Sequence, residues 1–210
     1  SSTYRQDSKA SPSLLEKDPQ NRLLARGPRF RLSGELIRDH MLQASGKLSG
    51  KMFGPGVYPP QPLTVLAHAF GNKSWNASKG EDRYRRSIYT FIKRTAPFAG
   101  FMTFDGTSGE NCLAKRDRSN TPLQALTLLN DEMYLELARA AGQKVHQSKD
   151  DPIHSLFRRF LTRPPKQSET DALRAYYEQQ IQRLEKGEIK PSEITASPKA
   201  TPELAGKVLL

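Results

Sequence analysis

The 210 residues contain one cysteine, Cys112. A single thiol cannot build an intrachain disulfide framework or a Cys-rich zinc site. There is no C-x-x-C-H, so the chain carries no c-type haem attachment of its own. The four histidines, His40, His68, His146 and His154, form no H-E-x-x-H and no other ligand pair at i, i+4, and no metal site is expected. A phosphate loop of the G-x-x-x-x-G-K-[ST] type is missing, as is a G-x-G-x-x-G opening a helix. Gly54-Pro55-Gly56 runs into prolines, which lack the N–H groups a phosphate cradle needs. No apolar run approaches the ~18 residues that would span a membrane. The start, Ser1-Ser2-Thr3-Tyr4-Arg5-Gln6-Asp7, lacks the basic and apolar segments of a signal peptide.

What is present is charge and aromatic residues. Hydrophobic residues make up only 36% of the chain, low for a compact domain, yet nine Phe, seven Tyr and one Trp are too many for a disordered polyelectrolyte. The net charge is +11 and the pI about 9.8, which raises the question of a nucleic acid or another polyanion. The first 110 residues hold 17 basic and 9 acidic groups, the remainder 16 and 13. That is a mild gradient with short basic runs, such as Arg85-Arg86 and Arg158-Arg159, and it suits a solvated surface better than a nucleic-acid groove.

Periodicity points to helices separated by long Pro/Gly-rich loops. Residues 1–31 read as an extended arm with one short turn at Ser13-Leu14-Leu15. Ser33 can cap a helix over 33–46, with Leu36, Ile37, Met41, Ala44 and Leu48 on its apolar side and Arg38, Asp39 and Gln43 on other faces. Gly54 to Pro62 is a loop, Leu63 to Phe70 a short apolar piece, and Gly71 to Gly80 a loop containing Trp75. Tyr84, Ile88, Phe91, Ile92 and Thr95 predict a helix over 82–95; a strand is the alternative, since these residues favour sheets. Gly106 to Asn120 is a polar loop. Thr121 caps, Pro122 opens and Gln124 boxes a helix over 121–145, with Leu123, Leu126, Leu129, Asn130, Met133, Leu137 and Ala141 on one face. Further helices are expected over 152–162 and 168–186, the latter turning Leu173, Tyr176, Tyr177, Ile181 and Leu184 inward. A polar linker follows over 188–200, then a last helix from Thr201-Pro202.

The sequence suggests four candidate sites. Asp105 and Glu110 share a loop and are candidates for paired acid–base work, although Asp105 capping a turn or pairing with Arg85, Arg86, Arg116 or Arg118 is the simpler reading. Cys112 lies near Lys115, Arg116 and Arg118, cations that favour a thiolate, but no histidine is near in sequence to act as base; a small packed residue explains it better. Arg116, Arg118 and Thr121 precede a helix N-terminus, where backbone N–H groups and the helix dipole also attract anions. With Arg86, this is the best anion or partner site in the sequence, set against a purely structural clamp on carboxylates. Tyr58 and Trp75 could stack a sugar or base; core packing is their default.

Several stretches occur together in order: Asn21-Arg22-Leu23-Leu24-Ala25-Arg26-Gly27-Pro28-Arg29-Phe30-Arg31-Leu32, Glu35-Leu36-Ile37-Arg38-Asp39, Gly54 to Pro62, Arg85-Arg86-Ser87-Ile88-Tyr89, Phe104-Asp105, and Arg118-Ser119-Asn120-Thr121-Pro122-Leu123-Gln124-Ala125-Leu126-Thr127-Leu128-Leu129-Asn130-Asp131. The set resembles the planctomycete-specific domain of unknown function that occurs beside planctomycete cytochrome-c-like domains. It departs from that family in having Phe53-Gly54 where two glycines are usual, and in the longer path from Pro62 to Trp75. Arg29, Arg31, Arg38, Asp39, Tyr58, Gln124, Asn130 and Asp131 fall in these stretches as structural motif residues. The resemblance implies the C-terminal part of a larger domain in an exported, multidomain protein, extracytoplasmic (periplasmic or secreted). Haem c would sit on another domain of the parent, and no catalytic residue is carried over. The reading is therefore a mainly α, irregular multi-helix domain whose Arg-rich segments pin its loops. Its leading function is a non-catalytic interaction or scaffold module that docks a cytochrome-c-like domain or an acidic polysaccharide. The alternative is a carbohydrate-related hydrolytic or redox-coupled enzyme at the Asp105 to Arg118 loop, and nucleic-acid binding by charge alone comes third.

Overall fold

The computed structural model describes residues 2–3, 5–62, 74–110, 112–197, 199, 201, 205–206 and 208. It divides the chain into two units, Ser1–Leu32 and Ser33–Leu210. In the first, Ser11 Oγ accepts the Leu14 N–H at 3.2 Å and caps α1 (Pro12–Lys17). Just beyond, the Asp18 carboxylate accepts the Arg22 and Leu23 N–H groups, both at 2.8 Å. The Arg26 guanidinium donates to the carbonyls of Asp18 and Pro19 at 2.9 and 2.8 Å. The expected extended arm is therefore a loop closed on itself by one carboxylate and one guanidinium, which satisfy backbone groups that have no secondary structure to join.

The second unit carries α2 (Gly34–Ser45), α3 (Ala99–Thr103), α4 (Pro122–Asn130), α5 (Glu132–Val145), α6 (Pro152–Leu161), α7 (Gln167–Glu185) and α8 (Pro191–Thr195). Two 3-10 turns, Gly80–Tyr84 and Ser87–Tyr89, lie between α2 and α3. Among the described residues there is no β-strand, only an isolated parallel bridge between Val57 and Thr90. The molecule is mainly α, as its periodicity predicts. The core gathers Leu42, Trp75, Ala96, Phe98, Phe104, Met133, Tyr134 and Leu137, so it joins α2 and α5 to the Trp75 loop and α3. Trp75 and Phe98 stack with centroids 6.1 Å apart, and the Trp75 Nε1–H donates to the Pro59 carbonyl at 2.7 Å. This gives a buried indole the partner it needs, and core packing is the role of that ring.

The caps of α2 fall where expected: Ser33 at the start, and Gly46 in the left-handed region at the end (φ 76°). Its inner face differs. Leu36 is 53% exposed, whereas Arg38 is fully buried together with Leu42 and Ser45. Asp151 caps α6 by accepting from Ile153 and His154, and α6 and α7 lie within a residue of their expected limits. Leu173 and Tyr176 on α7 are exposed rather than inward, while Leu184 is buried. The linker over 188–200 contains the short α8. The expected apolar piece at Leu63 to Phe70 lies outside the described residues, as does most of the last helix from Thr201.

Two larger expectations fail for local physical reasons. The helix over 82–95 does not form. Arg85 and Arg86 are extended (φ −67°, ψ 156° and φ −52°, ψ 147°), and the carbonyls of Arg83 and Arg85, which helix amides would otherwise take, are held by the Arg38 side chain. The strand alternative survives only as the bridge at Thr90. The single helix over 121–145 breaks at Asp131 (φ −69°, ψ 135°), whose carboxylate accepts the Met133 N–H at 2.9 Å and so caps α5. The break turns α4 outward. Leu123, Leu126 and Leu129 are 61%, 54% and 68% exposed, while Met133, Leu137 and Ala141 on α5 are buried.

Candidate functional site

Everything around the site depends on α2 presenting consecutive charged residues, Arg38 and Asp39, to the segment 83–92. The Arg38 guanidinium donates to the Arg85 carbonyl at 2.7 Å, the Arg83 carbonyl at 3.1 Å and Ser87 Oγ at 3.3 Å. Burial draws its pKa down to about 10, against the opposing charge of Asp39 at 3.9 Å, and it remains a cation at neutral pH. Asp39 accepts the Ser87 N–H at 2.7 Å. Arg85, equally buried, reaches the other way. It stacks 3.8 Å above the Tyr89 ring and donates to the carbonyls of Pro55 (3.1 Å) and Phe53. The Gly54 to Pro62 loop is held further by Gln61, whose Oε1 accepts the Ala99 N–H at 3.1 Å. A third guanidinium, Arg83, joins Glu136 of α5 at 2.7 Å, and the Tyr84 hydroxyl donates to the same carboxylate. The loops are thus held by arginines acting mostly on backbone carbonyls.

The segment fixed in this way forms one wall of a groove of about 470 Å³, with α2 and α3 as the others. Leu36, Ile88, Phe91, Ile92, Phe101 and Met102 supply its apolar surface. Ile88 and Ile92 are 80% and 74% exposed, and with the exposed Leu36, Phe91 and Met102 they group apolar side chains around one groove. Gly106 also lines the groove. An added Cβ there would stand 2.7 Å from the Phe101 carbonyl oxygen, so only glycine allows this close return of the chain. Four charged residues line the groove: Glu35, Asp39, Arg86 and Arg116. Arg116 Nη1 meets Glu35 Oε1 at 2.7 Å. Burial pushes the Glu35 carboxyl up, hydrogen bonds from Arg116 and Ser33 pull it down, and the net is below its ordinary value. Arg86 stands 3.9 Å from Asp39 with its side chain 54% exposed. Thr90 Oγ1 and Glu35 Oε2 are buried and have no hydrogen-bond partner among the described residues. Each group left this way costs about 1–3 kcal/mol.

Two of the anion-site candidates, Arg86 and Arg116, are therefore brought together, while Arg118 and Thr121 do not line the groove. Arg118 is exposed in the loop before α4. The Thr121 N–H donates to Gln124 Oε1 at 3.3 Å, the Gln124 half of the expected capping box, and the buried Gln124 also donates to Ser119 Oγ at 3.0 Å. Asp105 accepts the Ser119 N–H at 2.7 Å and the Ser119 hydroxyl at 2.8 Å, the simpler of its two readings. Glu110 and the Cys112 thiol are exposed, and none of the three lines the groove. Tyr58 is half-buried with its ring 4.9 Å from Phe91, Asn130 caps back onto the Leu126 carbonyl at 2.9 Å, and Asp131 caps α5. In the first unit Arg29 is exposed and Arg31 donates to the Leu32 carbonyl at 2.8 Å. Sequence reasoning missed the groove's Ile88, Thr90 and Ile92 because it placed them in a helix, and it missed Arg85 as a pin. The available signal was Arg38, Leu42 and Ser45 at helical spacing, which marks a guanidinium on a buried face.

Among the described residues no three His, Cys, Asp or Glu side chains stand together to hold a metal ion, and no helix is long and apolar enough to cross a membrane. Fold and site together define an irregular mainly α domain whose loops are held by buried arginines beside an open apolar groove. The chain belongs to the PSD1 family, described as protein of unknown function (DUF1553), with residues 1–177 matched. No curated protein and no solved structure matches it.

Proposed function

We propose that this chain is a non-catalytic docking module of an exported multidomain protein, and that the groove between α2, α3 and Ser87–Ile92 receives another domain of the same parent, with a cytochrome-c-like domain as the leading partner. Haem c then belongs to that partner, the setting is planctomycete and extracytoplasmic, and these points rest on the family resemblance. The observation that carries the reading is the exposure of Ile88 and Ile92 on a segment held by hydrogen bonds, to Arg38 and Asp39 at Arg85 and Ser87 and to the Val57 backbone at Tyr89 and Phe91. Aliphatic surface presented by a pinned loop suits a preformed contact, since little ordering entropy remains to be lost on binding. That Asp105 is engaged by Ser119 and that none of Asp105, Glu110 and Cys112 lines the groove supports a binding role over the hydrolytic or redox alternative. Amide hydrogen exchange of the intact parent protein against this chain alone tests the reading. Slower exchange at Ser87–Ile92 and in α3 within the parent supports docking there, and equal exchange in both settings overturns it.

A further inference from the structure

We infer that the groove takes an acidic, apolar peptide segment, with its apolar side chains on Ile88, Phe91 and Ile92 and a carboxylate against Arg86. This rests on the docking reading and adds to it the chemistry of the partner. The charges decide the sign. Arg116 and Glu35 pair at 2.7 Å, and Asp39 is engaged by the Ser87 N–H at 2.7 Å and stands 3.9 Å from the buried Arg38. What remains is Arg86, half exposed and 3.9 Å from Asp39, beyond hydrogen-bond reach. Its planar fork of donors matches a carboxylate. The net charge of +11 favours acidic partners for the chain as a whole.

The buried hydroxyl and the aliphatic surface decide the class. Thr90, only 7% exposed, lines the groove with its hydroxyl oxygen buried and unmatched. A fatty acid satisfies Arg86 and the apolar surface but brings no polar group beyond its one carboxylate. A polysaccharide brings many polar groups but gains little from aliphatic Ile88 and Ile92. A peptide supplies both, with apolar side chains for Ile88 and Ile92, an acidic side chain for Arg86 and backbone polar groups along its length for the Thr90 hydroxyl.

Selection of a phage-displayed random dodecapeptide library on the intact chain tests this. Enriched sequences are expected to place Asp or Glu beside Leu, Ile or Phe. The most enriched one, synthesised with a fluorescent label, is expected to bind the Arg86→Gln variant at least fivefold more weakly, and Thr90→Val more weakly as well. Arg158→Gln, the same charge change on the exposed face of α6, should leave binding unaltered. Thr90→Val keeps side-chain size and Arg86→Gln shortens a half-exposed side chain, and an unchanged circular dichroism melt confirms their folding. Enrichment of sequences without acids, no enrichment at all, or equal losses for Arg86→Gln and Arg158→Gln overturns the proposal. If groove amides are still protected in the intact parent under that outcome, the docking reading stands and only the partner's chemistry is wrong.

Discussion

At the scale of single residues, the side chain that matters most is Arg38. Its guanidinium replaces the hydrogen bonds a helix or strand would have given residues 83–87, and it does so at 0% exposure with one carboxylate 3.9 Å away. A buried cation of this kind adds little net stability as a pair, but its removal leaves the Arg83 and Arg85 carbonyls without that partner and the Asp39 charge without its buried counter-ion. Arg38→Ala is expected to lower the unfolding free energy by about 3–5 kcal/mol, enough to unfold a marginal domain. Arg38→Met, which refills the volume but not the hydrogen bonds, should lose about half of that. Arg86→Ala should lose under about 1 kcal/mol, as exposed ion pairs do. Urea titration measures all three, and an Arg86→Ala loss equal to that of Arg38→Ala would show that the pinning is misassigned. The sequence pattern pointed to arginines holding loops, yet adjacent basic residues in one run, Arg83, Arg85 and Arg86, take three different roles. Spacing along a chain without regular structure does not say which way each side chain points, so these roles were not legible.

At the scale of elements, capping chemistry was readable and continuity was not. Ser33 with Gly46, Asp151 with Pro152, and Thr121 with Pro122 and Gln124 mark helix ends through local hydrogen bonds, and α2, α6 and the start of α4 appear there. The break at Asp131 shows the limit. Helical spacing runs through it, but the Asp131 carboxylate competes for the backbone and starts α5 in a new direction. That new direction lets α5 reach the Gly80–Tyr84 turn through Glu136, which Arg83 and the Tyr84 hydroxyl both hold. Burial raises the Glu136 carboxyl, the hydrogen bonds from Arg83 and Tyr84 lower it more, and its folded pKa lies below the usual 4.5. A depressed folded value means that the stabilisation is fully present above the unfolded pKa and is lost as pH falls through the folded one. The urea midpoint should therefore fall as pH drops below about 4.5. Glu136→Gln should start lower at pH 7 and show a shallower acid limb. Parallel acid limbs for the two proteins would remove Glu136 from the coupling between α5 and the turn.

For the whole molecule, the question is what a charge of +11 is for. Its sum and its mild gradient were legible, and its employment was not, because burial and pairing are properties of the folded chain. Arg38 and Arg85 are inside, while Arg83, Arg116, Arg163, Arg174, Arg183 and Lys51 each face a carboxylate. These eight cations are committed within the fold, and the others, exposed Arg158 among them, lie along a mild gradient in short runs, whereas a duplex needs many cations free along one track to release phosphate counterions. Each phosphate contact contributes a slope of about −0.9 in log K against log salt. With few contacts available, a labelled 20-base-pair duplex should give no saturable anisotropy change up to about 50 μM protein at 150 mM salt, and any binding at 20 mM salt should vanish with a slope shallower than about −3. A dissociation constant below about 10 μM at 150 mM salt with a slope of −5 or steeper would require five or more free cations in register. That result would move the excess charge from a peptide groove to a nucleic-acid surface. The expected result leaves Arg86 at the groove as the cation with a vacant fork, and an acidic segment as the partner that fits it.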